Sequence, residues 1–171
     1  MIVGYHGTLE TKAKIILSQQ KFYHSKNDNE WLGEGVYFFK YKKHAIWWAN
    51  KKSREEKDEP SLLCADLIFT EDQLLDLDNP DHLQHLKDFM SEYFRKFPDF
   101  DNTWEKYSPC QRWCISCNLY KALYNDIKVI CRTFGQFTPK DHSNGNAFSE
   151  NKIQYCITDD DIIQNIRKEE I

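Results

Sequence analysis

Short strand-like segments stand near both ends of this chain. Residues 2–6 read IVGYH and residues 152–157 read KIQYCI, and short runs rich in β-branched and aromatic residues are typical of strands. Between them lie longer segments whose apolar residues recur at helical spacing, most clearly in residues 81–97. Strands at the two ends with helical segments between them predict an α+β fold, in which both ends of the chain join one sheet.

The remaining segments fit the same fold class. Thr8 or Thr11 could cap the first helix, and a turn-rich loop over residues 27–35 separates two strands. The pattern predicts strands over residues 2–6, 21–25, 36–40, 61–69, 127–131 and 152–157, and helices over residues 8–20, 43–56, 81–97, 110–126 and 159–166.

The length and composition predict one globular domain over residues 1–171. Hydrophobic residues make up 40% of the chain and charged residues 29%, which is ordinary for a folded domain. The formal net charge is −4, so a strong non-specific grip on nucleic acid is not expected, although a small local patch could still hold such a substrate. Aromatic residues reach 15%, enough to line a pocket as well as a core.

The first residues, MIVGYHGTLE, lack the basic start and continuous apolar run of a secretory signal. No apolar stretch approaches the ~20 residues that a membrane helix needs. We therefore expect a cytoplasmic protein without a membrane partner, whose six cysteines are mostly reduced.

Two clusters have the spacing of metal ligands. Cys110, Cys114 and Cys117 match an iron–sulfur triplet, but they fall in a predicted helix, where this spacing puts all three on one face. His82 and His85 lie three residues apart on another predicted helix. Buried cysteines and an exposed helix face explain both patterns, so we predict no metal site.

His6 and the segment GEGVYFF over residues 33–39 each have an ordinary explanation when taken alone. A histidine at a strand end can be satisfied by a backbone carbonyl, and Gly7 would then mark only a turn. GEGVYFF can be a turn that leads into a core strand.

Their combination resembles the ADP-ribosyltransferases, in the branch with a His–Tyr–Glu triad that includes diphtheria toxin and the poly(ADP-ribose) polymerases. The shared pattern is His-Gly-Thr on the first strand, then Gly-x-Gly-Val-Tyr-Phe, then a helix containing AIWWA, and a late strand reading QYCI. The resemblance covers residues 2–49 and 152–164. It implies the split antiparallel β-sheet core of that family with flanking helices, and NAD as a substrate without a metal.

The resemblance also implies roles for individual residues. His6 would hydrogen-bond the adenosine ribose of NAD, the Gly7 backbone would hold the nicotinamide amide, and Thr8 would sit beside it. Tyr37 would line the nicotinamide pocket. Trp48 would complete the stack around the ring, or Trp47 if the alignment contains a one-residue gap.

Gln154 occupies the third triad position, where the family has glutamate. A neutral hydrogen bond to the ribose would be weaker than a charged one by about 1–2 kcal/mol, which corresponds to a reaction slower by roughly five- to thirtyfold. Glutamine cannot act as a base on an acceptor hydroxyl, so the transfer of a single unit is favoured over chain growth. Glu150, four residues earlier, is the second choice for a carboxylate.

These observations predict a free-standing mono-ADP-ribosyltransferase that modifies a protein or a nucleic acid. By analogy with small transferases that have no regulatory domain, it would be a toxin of a toxin–antitoxin or antiphage system, with an antitoxin protein as a partner. The alternatives are an NAD glycohydrolase, a catalytically silent module that binds NAD or ADP-ribose, and a tRNA 2′-phosphotransferase, which the negative net charge disfavours.

Overall fold

A computed structural model describes residues 1–135 and 151–171, and within these ranges the chain has an α+β fold. Seven strands form one mixed sheet in the order β4-β5-β6-β2-β1-β3-β7. The strands are β1 (Ile2–Leu9), β2 (Val36–Phe39), β3 (Pro60–Leu67), β4 (Leu74–Asp76), β5 (Val129–Gly135), β6 (Asn151–Ile157) and β7 (Ile163–Glu169). The helices are α1 (Glu10–Gln19), α2 (Lys42–Glu56), α3 (Pro80–Lys96), α4 (Pro98–Trp104) and α5 (Pro109–Leu123).

The prediction that both ends of the chain join one sheet is confirmed. β1 lies inside the sheet, β6 is two places away, and β7 forms an edge. β1 and β3 pair along their whole length, from Ile2 opposite Leu67 to Leu9 opposite Pro60. β3 reads PSLLCADL and is buried almost throughout, because both of its faces are covered.

The sheet is nearly divided between β1 and β2. These strands share one registered pair, Tyr5 opposite Phe39. A continued antiparallel ladder would place Gly7 opposite Tyr37, but the pairing ends before that point. On one side of this junction stand β1, β3 and β7, and on the other stand β2, β6, β5 and β4.

Helices cover both faces of the sheet. Ala13 and Ile16 of α1 pack on one face in a cluster with Phe22, Phe38 and Tyr155. The other face is covered by α2, α3 and α5, which contribute two separate clusters of buried side chains. The helical members of these clusters are Ala45, Leu86, Cys117 and Tyr120.

One boundary and two elements were predicted wrongly. The first helix begins at Glu10 with Leu9 as its N-cap, because Thr8 remains part of β1, and no side chain caps it. Residues 21–25 form no strand and contribute only the isolated bridge between Ser25 and Gly35. Residues 159–166 form a 3₁₀ turn at Asp160–Ile162 followed by β7, because the backbone pairs with β3 instead of coiling.

The sheet also differs from an all-antiparallel arrangement. β4 runs parallel to β5, with Leu74 opposite Val129. No local sequence pattern predicts β4, which has only three residues, or α4, whose first residue is Pro98. A proline suits the first position of a helix because its missing N–H would have no partner there.

Candidate active site

The junction between β1 and β2 opens into a cavity of about 580 Å³. This volume lies within the usual range of about 300–1,000 Å³ for small-molecule sites. The predicted site residues that line it are His6, Gly7, Thr8, Tyr37, Trp48 and Gln154. They come from three segments far apart in the sequence, and the divided sheet brings them to one place.

His6 spans the junction. Its Nδ1 lies 2.8 Å from the carbonyl oxygen of Tyr37. A carbonyl oxygen can only accept, so Nδ1 carries the proton and Nε2 presents a lone pair. Burial lowers the pKa of His6, against the opposing effect of the hydrogen bond to Tyr37. The ring is therefore neutral at pH 7, and Nε2 is suited to accept a hydrogen bond from a ligand hydroxyl.

Gly7 is required by packing and does not mark a turn. It lies in the middle of β1, and a Cβ added to it would come within 2.0 Å of the carbonyl oxygen of Ala45 on α2. Only glycine lets the strand approach the helix so closely. Thr8 follows it in the strand and is 7% exposed.

The hydroxyl of Tyr37 is fixed from both directions. It donates to the carbonyl of Gly33 at 2.7 Å and accepts from the amide of Leu32 at 3.0 Å. Burial raises the pKa of Tyr37, so the hydroxyl stays protonated. Because the hydroxyl is anchored to the loop before β2, the ring forms a rigid wall of the cavity and does not supply a proton donor to it.

Of the two neighbouring tryptophans, Trp48 lines the cavity. Its ring packs near Phe39 and Ala45, and the amines of Lys51 and Lys52 lie 5.0 and 5.5 Å from its centre. Trp47 points elsewhere: it is 36% exposed, and the amine of Lys152 lies 4.6 Å from its ring. Of these two tryptophans, Trp48 is therefore the one placed to contact a ligand in this cavity.

Gln154 lies on β6 directly opposite Phe39 of β2. Its neighbour Tyr155 is buried in the cluster on the other face of the sheet, as strand alternation predicts. The amide of Gln154 is therefore presented to the cavity from the side opposite β1. Glu150, the second choice for this role, lies outside the described residues.

A loop over residues 24–35, which precedes β2 in the chain, forms one wall of the cavity. The bridge between Ser25 and Gly35 closes this loop. Gly33 sits in this loop with a φ of +83°, a conformation that favours glycine. Helix α5 holds the loop through side chains along one side. The contacts are Gln111 to Asp28, Cys110 to the Asn29 carbonyl, Cys114 to the Asn27 carbonyl, Asn118 to the Glu34 amide and Lys121 to the Glu34 carbonyl.

The cysteines of α5 thus have structural contacts. Cys117 is fully buried, and burial raises the pKa of its thiol. Burial raises the pKa of Cys110 to about 11, so neither thiol is a reactive thiolate at pH 7. The second metal candidate has a similar explanation, because His82 Nδ1 accepts the Asp76 amide at 3.0 Å. Within residues 1–135 and 151–171, no group of three or more histidine, cysteine or acidic residues could hold a metal ion.

Several residues that line the cavity were not predicted. Lys12 and Lys52 reach it from α1 and α2, and Trp31 and Tyr23 reach it from the segment between α1 and β2. Trp31 could have been noted because it lies two residues before the first glycine of the motif. The two lysines carry no local signal, because Lys12 shares its helix with a second lysine and Lys52 is one of four lysines in α2.

A second cavity of about 330 Å³ adjoins the first and shares His6, Thr8, Lys12 and Tyr23 with it. Its further walls are the apolar side chains of Ile15, Ile16 and Phe22. The first cavity has a mixed polar and aromatic lining, the second is mostly apolar, and His6 lines both.

Comparison with known proteins adds one relative. The chain is 32% identical over 81 residues to uncharacterized protein MJ0359 of Methanocaldococcus jannaschii, a match that covers 46% of this chain and 38% of that protein. No family profile matches the chain, and no solved structure matches it. No helix in the described part of the chain is both long enough and apolar enough to cross a membrane.

Proposed function

We propose that the chain is a mono-ADP-ribosyltransferase that transfers one ADP-ribose unit from NAD to a macromolecular acceptor. The observation that supports it best is the convergence of His6, Tyr37 and Gln154 on one cavity at the junction of β1 and β2. The proposal includes the split sheet that the resemblance implies; the single registered pair between β1 and β2, within one mixed sheet, is the feature that supports this part of it.

Each residue has a task that suits NAD. Nε2 of His6 would accept a hydrogen bond from the adenosine ribose, and the adjoining apolar cavity would take the adenine ring. Tyr37 and Trp48 would enclose the nicotinamide ring between aromatic walls and exclude water, which strengthens electrostatic interactions inside the site. Gln154 would accept a hydrogen bond from a hydroxyl of the second ribose.

The reaction breaks the bond between nicotinamide and ribose through a sugar that develops positive charge. Hydrogen bonds to the sugar hydroxyls strengthen as that charge grows, as in glycoside hydrolysis. A neutral amide supplies less of this stabilisation than a carboxylate, by about 1–2 kcal/mol. Turnover by this chain should therefore be slow but measurable.

Incubation of the purified chain with NAD labelled in its adenylate half, with and without a cell lysate, tests the proposal. Released nicotinamide and label bound to a macromolecule are expected. Gln154→Ala removes a neutral hydrogen bond worth about 0.5–1.5 kcal/mol, so it should lower both by roughly two- to twelvefold. Gln164→Ala is the matched control, because Gln164 is exposed on the edge strand β7 and lies outside the cavity lining.

Other outcomes would identify the alternatives. Release of nicotinamide without label on any macromolecule would indicate an NAD glycohydrolase. Binding of NAD by calorimetry without release of nicotinamide would indicate a silent binding module. An absence of NAD binding would contradict the proposal altogether.

The toxin interpretation, with an antitoxin as partner, has its own test. Induced expression of the chain in bacterial cells should arrest growth, and Gln154→Ala should relieve the arrest at equal protein level. Equal growth with both proteins and with an empty vector would contradict a toxin role without affecting the transferase proposal.

A further inference from the structure

Arg132 stands next to the third triad position. It lies on β5 directly opposite Gln154 in the ladder between β5 and β6. Residues that are directly opposite point to the same face of a sheet, with Cβ atoms about 4.5–5.5 Å apart. Gln154 is also registered with Phe39, so Phe39, Gln154 and Arg132 form one row across the sheet. This row runs from the wall of the cavity to the guanidinium group of Arg132.

Aromatic rings hold this guanidinium. Its central carbon lies 4.1 Å from the ring centre of Trp113 and 5.7 Å from that of Phe134. Its Nη1 is buried and has no hydrogen-bond partner in the described part of the chain. A buried donor that stays unpaired is costly, so this side chain has unused capacity for an acceptor group.

The chemistry of Gln154 points to the same kind of group. An acceptor hydroxyl needs a base to take its proton, and an amide cannot serve as one. An acceptor that is already anionic needs no base. The planar guanidinium can donate two parallel hydrogen bonds to two oxygens of a phosphate, and a phosphate monoester carries about −1.5 to −2 charges at pH 7.

Trp31 indicates what carries the phosphate. It lines the cavity, is 41% exposed, and its ring lies 6.2 Å from Phe134, which neighbours Arg132. Exposed aromatic rings stack on the bases of single strands. The net charge of −4 opposes binding along many backbone phosphates but not the binding of one strand end.

We propose that the acceptor is the terminal phosphate monoester of a single-stranded nucleic acid, bound by Arg132 with its last base against Trp31. This inference rests on the proposed transferase function and specifies its acceptor. A phosphate oxygen forms a bond to the ribose carbon that carried nicotinamide. The carbon–nitrogen bond breaks, and its electron pair leaves with nicotinamide, which becomes neutral. The product is a phosphodiester, and no proton has to be removed from the attacking dianion.

The test uses the full chain, adenylate-labelled NAD and oligonucleotides of one sequence that differ only at their ends. They carry a 5′-phosphate, a 3′-phosphate, or hydroxyls at both ends. We expect label on at least one phosphorylated strand and at least tenfold less on the hydroxyl strand. Arg132→Gln should lower labelling of the phosphorylated strand at least tenfold and change NAD affinity less than twofold.

Two further variants sharpen the result. Arg132→Lys keeps the positive charge but cannot donate two parallel hydrogen bonds to one phosphate, so it should retain an intermediate level of labelling. Lys87→Gln is the control for loss of a positive charge, because Lys87 is exposed on α3 away from the β1–β2 junction, and it should behave as wild type. If Arg132→Gln fails to fold, Arg132→Lys and the comparison of strand ends by wild type decide the matter.

Several results would overturn the inference while leaving the transferase proposal intact. These are equal labelling of the hydroxyl strand, label on protein carboxylates but on no oligonucleotide, and full activity of Arg132→Gln toward the phosphorylated strand. Failure to bind or cleave NAD under any condition would instead refute the transferase proposal itself, and this inference with it.

Discussion

Replacing Gly7 by alanine should destabilise the fold in the absence of any ligand. The new Cβ would lie 2.0 Å from the Ala45 carbonyl oxygen, whereas real Cβ contacts essentially never fall below 3.0 Å. The obstacle is the backbone of α2, which cannot rotate aside as a side chain would. Strand β1 and helix α2 would have to separate by about 1 Å, as in other overpacked cores.

Overpacking of this kind usually costs about 1–3 kcal/mol, and a rigid backbone obstacle places Gly7→Ala near the upper end. For a protein of this size each kcal/mol lowers the melting temperature by about 2–4 °C, so a decrease of about 6–12 °C is expected. Differential scanning calorimetry and urea unfolding of the ligand-free protein would measure it.

Gly135→Ala is the matched control. A Cβ at Gly135, at the exposed end of β5, would lie 3.4 Å from the Asn151 side-chain oxygen, which is ordinary contact. It should change the free energy of unfolding by no more than about 0.5 kcal/mol. If Gly7→Ala melts within 2 °C of wild type, roughly the size of an exposed-surface change, the packing argument is wrong.

Three further predictions concern single side chains. Trp48→Ala should weaken NAD binding by about two- to twelvefold in calorimetry, because it removes an aromatic wall of the cavity. Trp47→Ala should leave the affinity for NAD within about twofold of wild type. Equal effects of the two substitutions would contradict the proposed NAD site. Cys117→Ser should destabilise the protein by about 1–3 kcal/mol in urea unfolding, because it buries a hydroxyl among apolar groups. Cys110→Ser should destabilise it less. Stoichiometric zinc or iron in the wild-type protein would refute a purely structural role for these cysteines. Burial lowers the folded-state pKa of His6, so just below pH 6.5 the unfolded chain binds more protons than the folded chain. The free energy of unfolding should therefore fall as the pH drops from 6.5 toward the folded-state pKa. His6→Gln should lose that part of the pH dependence, and an unchanged slope of the free energy of unfolding against pH would contradict the prediction.

The sequence predicted the elements that carry a strong local pattern. Residues 36–39 and 61–67 are strands as expected, because dense runs of apolar residues can be buried on both faces. Helix α3 appears over 80–96 because its apolar stripe has helical spacing, and Pro80 and Asn79 mark its start. These signals are local, so one sequence was enough.

Elements set by distant contacts were missed. β7 was predicted as a helix because three aspartates precede an apolar run, but pairing with β3 overrides that propensity. β4 was missed because three residues give no periodicity, and it exists through its pairing with β5. Tertiary contacts of this kind cannot be recovered from local pattern.

The candidate site shows the same division. His6, Tyr37 and Gln154 could be named from motifs, and the cavity brings them together. Arg132 could not be named, because its position beside Gln154 depends on the register of β5 against β6. The role of α5 in holding the loop over residues 24–35 likewise depends on contacts between segments about 80 residues apart.

The short ladder between β1 and β2 has a consequence for how the site could diverge. Beyond Tyr5 and Phe39, the two strand edges show no further registered pairing, and the His6 ring takes up the Tyr37 carbonyl. The carboxamide of nicotinamide would present the same donor and acceptor as a peptide group. An open strand edge can therefore bind it as it would bind another strand. Recognition through the main chain does not depend on which side chains surround it. Under the proposed function, homologous chains could therefore replace most of the cavity wall, and change their acceptor, while the open strand edge and the histidine that bonds the Tyr37 carbonyl keep the first binding step unchanged.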